Sequence, residues 1–147
     1  MISKDTVFLT QTDTTVGFLS QSPLRLAKVK KRDPKQPFLL CVSSFKKQKK
    51  LVRTPKRFRS LVRRSCKTTF LYPNAKAVRV VKEKAHNQLL KKFHFLYSTS
   101  ANENKQSFSL HYATKNADIM IKTKEGYHDN PPSPLVKLSK YHKRILR

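Results

Sequence analysis

Short β-branched and aromatic runs alternate with hydroxyl-capped amphipathic segments along the chain. This alternation predicts a mixed α/β fold, a twisted open mixed sheet with flanking helices. Two further observations support one domain over residues 1–147. The length of 147 residues suffices to bury a real core, and no internal repeat interrupts it. The most loop-like stretches, 46–56 and 103–107, are too short to act as domain linkers.

Taken in order, Thr6-Val7-Phe8-Leu9 reads as a buried strand running into the polar Thr12–Thr15 loop. Ser22-Pro23 opens a helix, a hydroxyl cap followed by proline at the first helical position. That helix carries Leu24, Leu26, Ala27 and Val29, has Lys30-Lys31-Arg32 as its last turn, and stops at Asp33-Pro34. Pro37–Val42 is a nearly continuous apolar run that suits a central strand. Ser44 caps a second helix through the lysine cluster, and Thr54-Pro55 restarts one with Phe58, Leu61 and Val62 on a single face. Strands over Lys67–Tyr72 and Ala77–Val81 are joined by a Pro73-Asn74 turn. A helix over Glu83–Lys92 presents Ala85, Leu89, Leu90 and Phe93 on one side. Phe95-Leu96-Tyr97 is a strand that ends in a Ser/Thr/Asn loop. A helix over Ser107–Lys115 precedes strands at Asp118–Ile121 and Leu135–Leu138, which flank the polar loop around Gly126. Arg144–Arg147 adds an edge strand.

Thirty-three Lys and Arg face eight Asp and Glu, a formal charge of +25 that attracts polyanions, RNA above all. The charge is concentrated: Lys46 to Lys67 holds eleven basic residues and no acidic one. Lys46, Lys47, Lys49, Lys50, Arg53, Arg57, Arg63 and Arg64 are its candidate phosphate contacts. No apolar stretch approaches the roughly 18 residues of a membrane span. The N-terminus has no secretory pattern, so a cytoplasmic protein without membrane attachment is expected. Cys41 and Cys66 share no metal or redox spacing and are expected to be free, buried thiols. The five histidines, at 86, 94, 111, 128 and 142, show no metal spacing either, and surface or half-buried structural roles are expected for His86 and His94.

With only two glycines, Gly17 and Gly126, the chain contains neither a P-loop nor a dinucleotide fingerprint. Bound phosphates would have to be neutralised by side chains. Lys30 and Arg32 lie two apart at a helix end, where they either complement the helix dipole or fan into one pocket. Ser100 and Asn102 lie two apart at a strand end, where they either make a turn or donate to phosphate. The Thr12–Thr15 segment is an ordinary turn loop or part of a site. Arg79, inside an apolar strand, requires an anionic partner or a solvent-facing pleat. The chain is rich in cations and poor in general acids and bases, which points to phosphoryl or nucleotidyl chemistry.

In this order the segments resemble the YrdC-like family of threonylcarbamoyl-AMP synthases. Thr12-Asp13-Thr14-Thr15-Val16-Gly17 is similar to the family's Pro-Thr-Asp-Thr-x-Tyr-Gly loop, with Gln11 for proline and Val16 for tyrosine. Lys30 and Arg32 match its Lys-x-Arg, Val78-Arg79 its Val-Arg strand, and Ser100-Ala101-Asn102 its Ser-Ala-Asn motif. Ser65-Cys66-Lys67-Thr68-Thr69 stands for a Pro-Gly-Pro-x-Thr element, and Pro132–Val136 for a late Pro-Ser-Thr-Val-Val element. The family's closing arginine falls on Arg147. Glu103-Asn104-Lys105 replaces the family's Ser-Gly, and Pro134 its threonine.

The resemblance implies an α/β sheet around a basic cavity and an L-threonylcarbamoyladenylate synthase, a nucleotidyltransferase. Such an enzyme joins L-threonine, bicarbonate and ATP, with Mg2+, and releases pyrophosphate; a separate tRNA threonylcarbamoyl-transfer complex uses the product. Thr12, Arg79 and Ser133 would contact threonine. Lys30, Arg32, Ser100 and Asn102 would hold the triphosphate or the carbonate-derived group, and Arg147 would add charge near the nucleotide. The alternative is a non-catalytic RNA-binding paralogue that uses the basic 46–67 face on tRNA or double-stranded RNA.

Overall fold

A computed structural model describes residues 2–103, 105–128 and 130–147. They fold as a mixed α/β protein of two compact units. Unit 1 comprises Met1–Phe38 and Leu96–Pro132, and unit 2 comprises Leu39–Phe95 and Ser133–Arg147.

Unit 1 contains strands β1 (Phe8–Gln11) and β2 (Val16–Ser20), helix α1 (Pro23–Lys30), β6 (Leu96–Ser100), α5 (Leu110–Asn116) and β7 (Ile119–Met120). Its strands run in the order β7-β1-β2-β6. β2 pairs antiparallel with both β1 and β6, and every residue of it is buried. That strand is absent from the pattern reading, because Val16-Gly17-Phe18-Leu19-Ser20 continues a polar loop and contains a glycine. Val7, Leu9, Phe18, Leu26 and Val29 build the core with Ala101 and Ala113. Ser22 caps α1, its hydroxyl accepting from Arg25 N–H at 3.2 Å, and Pro23 follows as expected. The helix ends through Lys31, which adopts the left-handed conformation at φ 53° where glycine is usual.

Unit 2 contains β3 (Leu39–Val42), α2 (Phe45–Leu51), a 3-10 turn at Lys56–Phe58, α3 (Arg59–Arg64), β4 (Thr69–Leu71), β5 (Ala77–Val80), α4 (Lys84–Leu90), β8 (Leu135–Leu138) and β9 (Lys143–Ile145). Its strand order is β3-β5-β4-β8-β9, with β3·β5 and β4·β8 parallel and the other pairs antiparallel. Residues 46–51 are therefore helical rather than loop, as the Ser44 cap implied: its hydroxyl accepts from Lys47 N–H at 3.2 Å. α4 is shorter than the pattern suggests and buries His86 and Leu90, leaving Ala85 exposed. His86, 1% exposed, is thus a core side chain and not a surface one. Cys41 is buried as expected, whereas Cys66 is exposed, because it lies in the turn before β4.

Candidate active site

In unit 1 the Thr12–Thr15 loop is closed by its own hydroxyl. Thr12 Oγ1 donates to the Thr15 carbonyl at 2.5 Å and accepts from Thr14 N–H at 3.2 Å, while Thr12 N–H donates back to Thr15 at 3.2 Å. The Thr14 hydroxyl lies 3.3 Å from Thr12 Oγ1 as well, so the Thr12 hydroxyl is held within the loop. The loop also explains Gly17. A Cβ there would lie 2.8 Å from the Thr12 methyl and 3.2 Å from the Thr99 carbonyl, inside van der Waals contact.

Lys30 and the Ser100–Asn102 segment, 70 residues apart, form one cluster. The Lys30 ammonium donates to the Ser100 carbonyl at 3.0 Å, the Asn102 carbonyl at 2.5 Å and Asn102 Oδ1 at 3.0 Å. Those three bonds use all the donors an ammonium has. The same Oδ1 accepts from Ser100 Oγ at 2.5 Å, and Asn102 Nδ2 donates to the Gln106 carbonyl at 2.5 Å. Lys30 is 4% exposed, and burial, reinforced by the Arg32 guanidinium, pulls its pKa down to about 8. The Tyr112 hydroxyl donates to the Val29 carbonyl and so braces the last turn that delivers Lys30.

Arg32 is the cation of this cluster with donors to offer. Its guanidinium packs on the Phe38 ring, 4.3 Å from the centroid, and Nη2 donates to the Pro37 carbonyl at 3.1 Å. Among the described residues the buried Nε has no hydrogen-bond partner. Desolvation lowers its pKa, and a desolvated guanidinium with a buried, unmatched N–H is suited to an anion.

Unit 2 holds the second cluster. Arg79 is only 3% exposed, which removes the solvent-facing pleat from its two sequence alternatives. Its Nη2 lies 3.8 Å from Cys41 Sγ, on the residue paired with it in the β3·β5 register. Thr69 Oγ1 and Ser133 Oγ, both buried, are 2.9 Å apart. Arg147 Nε donates to the Ser133 carbonyl at 3.0 Å, and backbone bonds between Arg147 and Leu135 hold the closing residue there. Desolvation and the neighbouring Arg79 charge lower the Arg147 pKa. Unit 2 thus gathers two guanidinium groups, Arg79 and Arg147, and a bonded pair of buried hydroxyls, groups of the kind that suit an anion. Thr69, bonded to Ser133, joins this group although it is not among the candidates expected from the sequence; its signal is its place in the degenerate Ser65–Thr69 element.

Of the basic segment, Lys46, Lys49, Lys50, Arg53, Arg57, Arg63 and Arg64 are exposed. Lys47 is not a free contact. Its ammonium donates to the carbonyls of Phe93 at 2.6 Å, Leu90 at 3.3 Å and Lys91 at 3.4 Å, closing the end of α4. Among the described residues no three His, Cys, Asp or Glu side chains gather as metal ligands, and no helix is long and apolar enough to cross a membrane.

The Sua5/YciO/YrdC family, described as telomere recombination, matches residues 1–147, and the chain belongs to it. The fold agrees with solved structures. Sua5 of P. abyssi, in its H234A/Y235A form, superposes with a TM-score of 0.80 at 15% identity over 98% of this chain and 52% of that one. The same protein complexed with L-threonine gives 0.77 at 16% identity, over 98% and 50%. E. coli YciO gives 0.74 at 16% identity, over 97% and 82%. Full-length HypF in its phosphate- and nucleotide-bound form gives 0.77 at 13% identity, over 98% and 27%. The chain thus spans about half the length of P. abyssi Sua5. No curated protein matches its sequence.

Proposed function

We propose that this chain makes threonylcarbamoyl-AMP from L-threonine, bicarbonate and ATP and releases pyrophosphate. The observation that carries the reading is the lashing of the Ser100–Asn102 segment to Lys30, in the cluster that holds the unmatched Nε–H of Arg32. This gives the Lys-x-Arg and Ser-x-Asn motifs a common, rigid, cationic setting. The threonine complex of P. abyssi Sua5 and the nucleotide-bound form of HypF add support at the level of fold.

In the reaction, the threonine amine and bicarbonate form a carbamate with loss of water. A carbamate oxygen attacks the α-phosphorus of ATP, and the bond to the bridging oxygen breaks as pyrophosphate leaves. Arg32 forks onto phosphate oxygens and offsets the charge of the leaving group. Lys30 adds fixed charge and positions Ser100 and Asn102, whose side chains meet the triphosphate or the carbonate-derived group by exchanging internal bonds. Arg79 pairs with the threonine carboxylate, Ser133 contacts its polar atoms, and Arg147 contributes charge toward the nucleotide. Thr12 fixes the loop and contacts threonine if one of its bonds opens. Mg2+ enters with the ATP phosphates; the cationic and hydroxylic donors here fit the anionic nucleotide rather than a protein-held ion.

The test follows pyrophosphate release from MgATP and bicarbonate with and without L-threonine. Threonine-dependent release is expected. Arg32→Ala lowers its rate about 100-fold or more, as loss of a transition-state charge donor does. Arg79→Ala acts mainly by raising the threonine KM. Release that ignores threonine, or none from folded protein, contradicts the assignment and favours the RNA-binding alternative.

A further inference from the structure

Unit 2 carries a second basic feature that the proposed chemistry does not use. Between α2 and α3 lies a cavity of about 680 Å3 lined by Lys49, Lys50, Arg53, Arg59 and Arg63, with no acidic residue among its lining. Neither Arg79, Ser133 nor Arg147 lines it. All five cations are exposed, and among the described residues none donates an intramolecular hydrogen bond from its side chain in the way Lys47 and Lys82 do.

The groove is assembled by the fold. Lys47 is drawn away to the carbonyls that end α4, while Lys82 Nζ donates to the Arg63 carbonyl at 2.8 Å and the Ser65 carbonyl at 3.0 Å. These two lysines anchor the helices through backbone carbonyls, while Lys49, Lys50 and Arg63 line the cavity. Val52 and Val62, both buried, supply an apolar floor. Asn74 seals one wall, its amide donating to the Leu51 carbonyl at 3.1 Å.

We infer that this groove binds single-stranded RNA, with the phosphate backbone against the five cations. Charge complementarity selects a polyanion, and spaced cations over a part-apolar floor suit a flexible strand whose bases seek contact. The cavity, about 680 Å3, is of the size class of a small-molecule cleft, which a flexible single strand enters more readily than a rigid duplex does. Asn74 in the lining holds Leu51 and Lys76 with one amide hydrogen and one lone pair, and its second amide hydrogen and second lone pair are of the kind that meet a ribose 2′-hydroxyl, which favours RNA over DNA.

The experiment measures binding of labelled oligouridylate by fluorescence anisotropy at several salt concentrations. One variant changes Lys49, Lys50, Arg53, Arg59 and Arg63 to alanine. A control removes the same charge from the same segment but off the groove, at Lys46, Lys56, Arg57, Arg64 and Lys67. All ten side chains are exposed, so both variants should retain the wild-type melting temperature. Should the groove variant melt early, the pair Lys49→Ala and Arg63→Ala replaces it, set against Lys46→Ala and Arg64→Ala. The groove variant is expected to lose affinity at least tenfold and to show a flatter salt dependence, while the control changes less than threefold. Equal losses in the two variants would mean a diffuse field and overturn the proposal. Equal affinity for oligodeoxyuridylate, or tighter binding to polyglutamate or anionic vesicles, would also overturn it.

Discussion

Lys30 illustrates how a single residue carries both architecture and charge. Its ammonium is buried with three carbonyl-type acceptors, and burial with the Arg32 charge depresses its pKa from 10.5 to about 8. Between those two values the unfolded chain binds more protons at this site than the folded one, so stability rises with pH across that window. Below about pH 8 the cost of the buried charge is fully present. Urea unfolding at about pH 7.5 and about pH 9.5 should therefore show a gain in the native protein that Lys30→Met lacks. An equal response in both would assign the depressed pKa elsewhere. The sequence made Lys30 a candidate by its Lys-x-Arg spacing. It did not reveal that the side chain turns back onto the Ser100–Asn102 backbone, because that acceptor lies on a distant strand.

At the scale of elements, the starts of α1 and α2 were legible, whereas α3 starts at Arg59 rather than behind Thr54-Pro55 and α5 at Leu110 rather than Ser107. Ser22, Ser44 and Ser109 cap α1, α2 and α5 through local hydroxyl bonds, and Glu83 caps α4 by accepting from Ala85 and His86 N–H. Such caps are read from adjacent residues. With only two glycines in the chain, the helix ends are closed differently. Lys31 takes the left-handed position after α1, while the Lys47 and Lys82 ammonium groups cover the carbonyls that end α4 and α3. A cation at a helix C-terminus satisfies orphan carbonyls and complements the dipole together. Lys47→Met should destabilise the protein by about 1–2 kcal/mol and speed amide exchange in the last turn of α4. Unchanged exchange there would show that solvent serves those carbonyls equally well. Strand β2 was hidden for a related reason: its burial comes from pairing on both edges, a long-range fact that a five-residue pattern does not encode.

For the whole molecule, the charge of +25 divides into parts with different work. Lys30, Lys47 and Lys82 fasten the chain through intramolecular hydrogen bonds, Arg32, Arg79 and Arg147 belong to the cationic clusters of the two units, and the groove cations are exposed. Composition announced the excess of cations but could not assign it. The family membership was legible because weak motifs fell in the right order, although each alone suited a turn, a cap or a dipole. The Thr69–Ser133 bond was not legible because the motif around Thr69 lacks the Pro-Gly-Pro turn. The measurement that bears most directly on the synthase assignment supplies isotope-labelled bicarbonate with MgATP and L-threonine, and analyses the products by mass spectrometry. The account predicts a labelled threonylcarbamoyl-AMP that requires threonine and is lost in Arg32→Ala. Folded protein that forms no labelled adenylate, or forms it without threonine, would contradict it.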